Sequence, residues 1–167
     1  DESAYAAGAV YVYTREGNDW SQQAYVKASN TDSGDQFGSS LALSADGNTM
    51  AVAAHREASS ATGVNGNQTD NSITGAGAVY LFTRSGDTWS QQAYLKASNT
   101  GELSDPGLPA NGDQFGFTLA MSADGNTVAV AAVSEDSNAS GIDGDQADNS
   151  ASSAGAVYVF TRSESTW

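Results

Sequence analysis

Short apolar runs, each closed by a turn signal, recur along this chain, and a helical spacing is nowhere sustained. Runs of that length bounded by Gly, Asp, Asn and Ser read as β-strands. Four strand types recur in one order. The first is FGSSLALS at 37–44 and FGFTLAMS at 115–122, and the second is TMAVAA at 49–54 and TVAVAA at 127–132. The third is GAVYVYTR at 8–15, GAVYLFTR at 77–84 and GAVYVFTR at 155–162. The fourth, WSQQAYVKA at 20–28 and WSQQAYLKA at 89–97, follows a polar turn. Asp46-Gly47 and Asp124-Gly125 join the first strand to the second as tight hairpins, because Asp and Gly tolerate positive φ.

The order and spacing make this a tandem repeat. Gly8 to Gly77 is a step of 69 residues (77 − 8), and Gly77 to Gly155 one of 78 (155 − 77). The extra length lies at 100–113 and holds both prolines, Pro106 and Pro109, so the segment 101–110 reads as an exposed loop. Residues 1–34 form a partial repeat (strands three and four), 35–112 a complete one, and 113–167 a repeat lacking its last strand. The chain opens at Asp1 inside a repeat block without an initiator Met, which reads as a processed or excised piece.

Two details favour a propeller over a sandwich. Strand three is apolar at consecutive positions (Ala9, Val10, Tyr11, Val12, Tyr13), as when both faces of a sheet are covered by neighbouring sheets. Strand two is rich in small residues (Ala51, Ala53, Ala54; Ala129, Ala131, Ala132), as crowding toward a central axis requires. The expected fold is all-β, with β-propeller-type blades of four-stranded antiparallel sheets, about two blades plus partial repeats. A ring needs roughly 4–8 blades. Open flanks of this kind are prone to association, so the expected arrangement is an array, a ring or a filament of like repeats.

Composition narrows the function classes. Six Lys and Arg stand against 20 Asp and Glu, for a formal net charge of −14. Five of the six cations hold repeat positions (Arg15, Arg84, Arg162, Lys27, Lys96), so no basic patch is left for nucleic acid. There is no Cys for a disulfide or a thiolate site. No apolar run approaches the roughly 20 residues of a membrane-spanning helix, so membrane insertion is not expected.

The joint recurrence of these phrases resembles the FG-GAP repeats of integrin α-subunit β-propellers and their bacterial relatives, over nearly the whole chain. Phe37-Gly38 and Phe115-Gly116 correspond to the FG pair, a side chain wedged between blades beside a glycine that allows close backbone approach. The GAP element is poorly kept, as Ala53, Ala54, His55 and Ala131, Ala132, Val133 lack its Gly and Pro. The calcium loop that the resemblance implies between the first two strands has no room in SADGNT, which leaves Asp46 and Asp124 as turn residues.

Candidate chemistry therefore rests on the long loops at 57–72 and 135–150. Oxygen-bearing residues recur there in register: Glu57 and Glu135, Asn65 and Asp143, Asn67 and Asp145, Asp70 and Asp148. Ca2+ takes 6–8 oxygens at about 2.3–2.6 Å. The second copy, with Glu135, Asp136, Asp143, Asp145 and Asp148, is the candidate metal set; the same residues also suit Asx turns that organise a long loop. The one histidine, His55, has Val133 as its repeat partner and no matching nucleophile, so packing is expected rather than catalysis. Trp20, Trp89 and Trp167 share a repeat phase, as do Tyr25 and Tyr94; they pin the outer strand or stack on sugars. Asn67-Gln68-Thr69 and Asn138-Ala139-Ser140 fit the glycosylation pattern and are assigned no role. The residues together predict a non-catalytic extracellular or cell-surface module for adhesion or assembly. Its partners are like repeats or further copies of itself. The alternative is a calcium-dependent module binding a surface glycan or protein ligand through 135–148, aided by 101–110.

Overall fold

The computed structural model describes residues 3–101 and 112–167. Of the expected loop at 101–110, Gly101 alone falls within the described residues; Pro106 and Pro109 lie outside them. The described residues form strands and turns, without a helix. The strands are β1 (Val10–Glu16), β2 (Asp19–Val26), β3 (Ser40–Leu43), β4 (Thr49–Ala54), β5 (Ala78–Ser85), β6 (Thr88–Leu95), β7 (Phe115–Met121), β8 (Thr127–Ala132) and β9 (Ala156–Thr161).

Pairing is between sequence neighbours and antiparallel throughout, which gives three separate sheets. Blade 1 is β1-β2, blade 2 is β3-β4-β5-β6, and blade 3 is β7-β8-β9. The all-β, blade-type expectation stands; the three sheets lie side by side rather than in a closed ring. A row of directly opposed residues, Leu41, Val52, Tyr80 and Tyr94, crosses the whole of blade 2. The hairpins turn at Gly47 (φ 68) and Gly125 (φ 69). In each copy the aspartate locks the turn: the Ser44 hydroxyl donates to Asp46 at 2.5 Å, and so does the Asn48 N–H at 3.0 Å. Those donors, Ser44 first, hold the Asp46 carboxyl down at about 2.

Stacking decides the core. One apolar cluster joins Val10, Val26 and Ala28 of blade 1 to Phe37, Met50, Val52, Tyr80, Phe82 and Tyr94 of blade 2. The other joins Ala51, Ala53, Val79, Leu81 and Leu95 of blade 2 to Phe115, Val128, Val130 and Ala132 of blade 3. Alternate residues of β4 and β5 thus serve opposite interfaces, and all six residues of β4 are buried. The small residues of β4 let β7 pack close, with Gly116 beside Ala53. Blades 1 and 3 bury one face each. On β1, Tyr11 and Tyr13 are 56% and 53% exposed, and on β9 Val157 and Val159 are 66% and 65% exposed. The consecutive apolar pattern of strand three therefore meets two covered faces in blade 2 alone.

The first strand begins later than expected in blade 2. Phe37 precedes β3 and is held by backbone bonds instead, its N–H donating to Ala7 O at 2.9 Å. Its ring meets Tyr80 edge-on at 5.4 Å. Phe115 repeats the contact with Tyr158 at 5.6 Å.

Candidate functional site

The side chains that set one blade against the next gather at two levels of each interface. At the first level, Asn30 follows the last strand of blade 1 and reaches into blade 2. Its amide donates to Glu57 Oε1 at 3.0 Å and accepts from the Tyr80 hydroxyl at 2.6 Å. Glu57 Oε2 takes the Lys96 ammonium at 2.7 Å, with both side chains buried. Burial pulls Lys96 below the ordinary lysine value against the opposing pull of Glu57. Lys96 sits just past β6, where the chain leaves the sheet and turns its side chain inward.

The next interface repeats this network with one member missing. Asn99 donates to Glu135 Oε1 at 3.1 Å and accepts from the Tyr158 hydroxyl. Glu135 is 2% exposed. Its Oε2 accepts the Ser137 N–H at 3.1 Å. The Lys96–Glu57 contact is the sole salt bridge among the described residues, so no cation faces Glu135. Lys27, the repeat equivalent of Lys96, donates to Gly8 O at 2.5 Å instead of to an acid.

Nearby aspartates register the difference. Burial raises the Asp35 carboxyl to about 6, with the Asp32 N–H and Lys96 holding it down and Glu57 pushing it up. Burial, then the charges of Glu135 and Asp136, raise Asp113 to about 7. Asp113 Oδ2 has no hydrogen-bond partner among the described residues.

At the second level, β-bulges aim a glutamine across the interface. The register slips between Val12 and Tyr13 in blade 1 and between Leu81 and Phe82 in blade 2, leaving Gln23 and Gln92 without opposite partners. A bulge re-aims its extra residue. Gln23 Oε1 accepts the Trp89 indole N–H at 3.0 Å, and Gln92 Oε1 that of Trp167 at 2.9 Å. Each indole lies under its own blade's arginine, Arg84 at 5.8 Å and Arg162 at 5.4 Å. Trp89 thus packs half-buried against the neighbouring blade. Trp20 differs: it is 66% exposed, because no bulge glutamine faces it.

Glycines complete the contact. A Cβ on Gly8 would stand 2.0 Å from Phe37 O, and one on Gly77 2.1 Å from Phe115 O, so at both positions the next blade's Phe-Gly backbone occupies the place of a side chain. Gly155 keeps the same backbone (φ 78), yet the nearest atom to its built Cβ is Val133 O at 3.5 Å. Gly38 and Gly116 (φ 92 each) make the reciprocal approach.

The candidate metal residues are spread over this ground. Glu135 belongs to the buried network just described. Asp136 accepts the Ser153 N–H at 2.6 Å, Asp145 the Ala147 N–H at 3.0 Å and Asp148 the Ser150 N–H at 3.0 Å. Asp143 adopts φ 55 at a turn. Among the described residues no three of His, Asp and Glu converge as a metal-holding group. His55 packs edge-on to Phe117 of blade 3 at 5.8 Å, and burial lowers its pKa. Sequence reasoning saw Lys27 and Lys96 as periodic but missed the burial of Lys96. The signal was there: an acidic chain that keeps a lysine at a fixed phase after an apolar strand has a specific acid for it.

Residues 20–82 match the model of the FG-GAP repeat. That stretch runs from the start of a fourth strand through strands one, two and most of three, and takes in Phe37-Gly38. The matched stretch thus lies in sheets of propeller-blade type. No curated protein gives a match to the chain.

Proposed function

We propose that this chain is a non-catalytic propeller-type repeat module of the cell surface or extracellular space, and that it serves adhesion or structural assembly by packing its outer blades against like blades. One observation carries the reading: the exposed surfaces of blades 1 and 3 are the two unmatched halves of the interfaces found inside the molecule. Blade 1 buries Val10 and Val12 against the Phe37, Tyr80 and Phe82 side of blade 2. Blade 3 exposes the equivalent Val157 and Val159, and blade 1 exposes the equivalent Tyr11, Tyr13 and Tyr25. Exposed patches of complementary shape on opposite flanks favour head-to-tail contacts between copies. The FG-GAP repeat is a non-catalytic family, typically extracellular, and no described helix is long and apolar enough to cross a membrane.

The alternative, calcium-dependent binding of a glycan or protein ligand through 135–148, is less favoured, because Asp136, Asp145 and Asp148 each accept a backbone N–H. Light scattering across a concentration series tests the first reading. Assemblies are expected for the unaltered chain and a monomer for Val159→Lys, which places a charge in the contact. An unaltered chain that stays monomeric at every concentration overturns it.

A further inference from the structure

Between blades 1 and 2, three side chains from separate turns of the chain meet in one buried cluster: Asn30 after β2, Glu57 after β4 and Lys96 after β6. The Glu57 carboxylate takes the Lys96 ammonium on Oε2 at 2.7 Å and the Asn30 amide on Oε1 at 3.0 Å, so an amine and an amide share one acid. Asn30 is pinned at both polar atoms. Its Nδ2 also donates to Gln68 O at 3.0 Å, and its Oδ1 accepts the Tyr80 hydroxyl at 2.6 Å. Glu57, Lys96 and Tyr80 are fully buried, and the Tyr94 ring lies 5.3 Å from that of Tyr80.

Each contact in this cluster matches a requirement of amide exchange. Burial favours the uncharged form of a lysine, which is its nucleophilic form. A carboxylate touching both nitrogens can carry a proton from the attacking amine to the departing one. A hydroxyl aimed at the amide oxygen stabilises the negative charge that develops there.

We propose that Lys96 and Asn30 form an intramolecular amide bond, with Glu57 as proton carrier and Tyr80 as donor to the oxyanion, which fastens blade 1 to blade 2 covalently. The Lys96 ammonium first passes a proton to Glu57 Oε2. The Nζ lone pair then attacks Cγ of Asn30, and the carbonyl electrons move onto Oδ1 under the Tyr80 hydroxyl. Collapse of the tetrahedral intermediate restores the carbonyl and breaks the Cγ–Nδ2 bond, while Glu57 returns its proton to Nδ2, which leaves as ammonia. The new amide nitrogen sheds its surplus proton to Glu57, and the ammonia carries that proton off as ammonium. Overall, a lysine ammonium and a primary amide become a secondary amide and free ammonium, with Glu57 regenerated and no oxidant consumed. The chain has no cysteine, so this joint supplies a cross-link without sulfur. Closing the chain between residues 30 and 96 narrows the unfolded ensemble as a disulfide over that span does. Both partners lie inside one chain, so the inference stands apart from the assembly reading.

Mass spectrometry of the unaltered chain, purified folded and then denatured, tests the bond. The expected mass is one ammonia below that of the sequence, and a proteolytic digest is expected to contain a branched peptide joining the segments around Asn30 and Lys96. Glu57→Gln removes the proton carrier and is expected to show the full mass without the branched peptide. Asn30→Asp is expected to keep the branched peptide and to lose water in place of ammonia, a signature that a failure to fold cannot produce. An unaltered chain at full mass overturns the proposal. So does a deficit confined to a single unbranched peptide, as ring closure at Asn65-Gly66 would give.

Discussion

Blades 2 and 3 are built from nearly the same sequence, yet only the first is satisfied. In blade 2 the carboxylate after the second strand meets a lysine, the glycine before the third meets a phenylalanine backbone, and both faces are dry. In blade 3 Glu135, Gly155 and Val157 keep the identities of their counterparts, and Val159 the apolar character of Leu81, without those partners. A repeat unit of this type is thus an incomplete object: what it needs is carried by its neighbours, and the residues that look idle in one copy are the ones at work in another.

The comparison is broken most sharply at the buried acid. Lys96→Met should lower stability by about 3–5 kcal/mol, since it strands Glu57 as a buried charge. In contrast, Glu135→Gln should cost the unassembled chain less, about 1–2 kcal/mol, because its single amide oxygen keeps one of the two donors, Asn99 or Ser137, while the change removes a buried charge. Urea unfolding of both variants reads the difference, and equal losses would dissolve the distinction between the two blades.

A smaller contrast separates the glycines. Gly77→Ala combines left-handed strain with a clash against Phe115 O and is expected to cost about 2–4 kcal/mol. Gly155→Ala meets no close atom, so strain alone, about 1–2 kcal/mol, remains. Thermal melts at low protein concentration separate the two, while at assembling concentrations the gap should narrow as Gly155 acquires its phenylalanine.

The smallest effect is a slope with pH. Folding raises Asp113 from 3.8 to about 7 and Asp35 from 3.8 to about 6. The folded state therefore binds more protons than the unfolded between those values, and stability falls as pH rises across that window. The cost is absent below the unfolded value and complete above the folded one. Asp113→Asn should flatten the fall, leaving a melting temperature above pH 7 higher by about 2–4 °C, the size of a ~1 kcal/mol change at this chain length. A melting temperature that rises with pH through this window would contradict the assignment.

Much of the fold was legible because local chemistry dictates it. Strand three is apolar without interruption, Asp46-Gly47 accepts the hairpin φ, and the repeat itself fixes which segments are equivalent. Phe37-Gly38 and Phe115-Gly116 drew attention through the resemblance to FG-GAP repeats, and in the structure both phenylalanines lie in the clusters between blades. The acidic loop was harder to read. Carboxylates that cap turns and carboxylates that hold cations use the same residue types at similar spacings, so Asp136, Asp145 and Asp148 revealed their backbone partners only in three dimensions.

What the amino-acid order determined by itself was the unit: four short strands with their turns, set by contacts a few residues apart, and the period at which lysine, tryptophan and glycine return. What the tertiary structure alone decided was which partner each recurring side chain meets. Whether Trp20 or Trp89 finds a glutamine, and whether Glu57 or Glu135 finds a lysine, depends on groups 39 to 66 residues away in the chain where they exist at all. The recurring residue is the same at such positions, so its identity holds no information about the neighbour; only the stacking of one sheet upon the next supplies it.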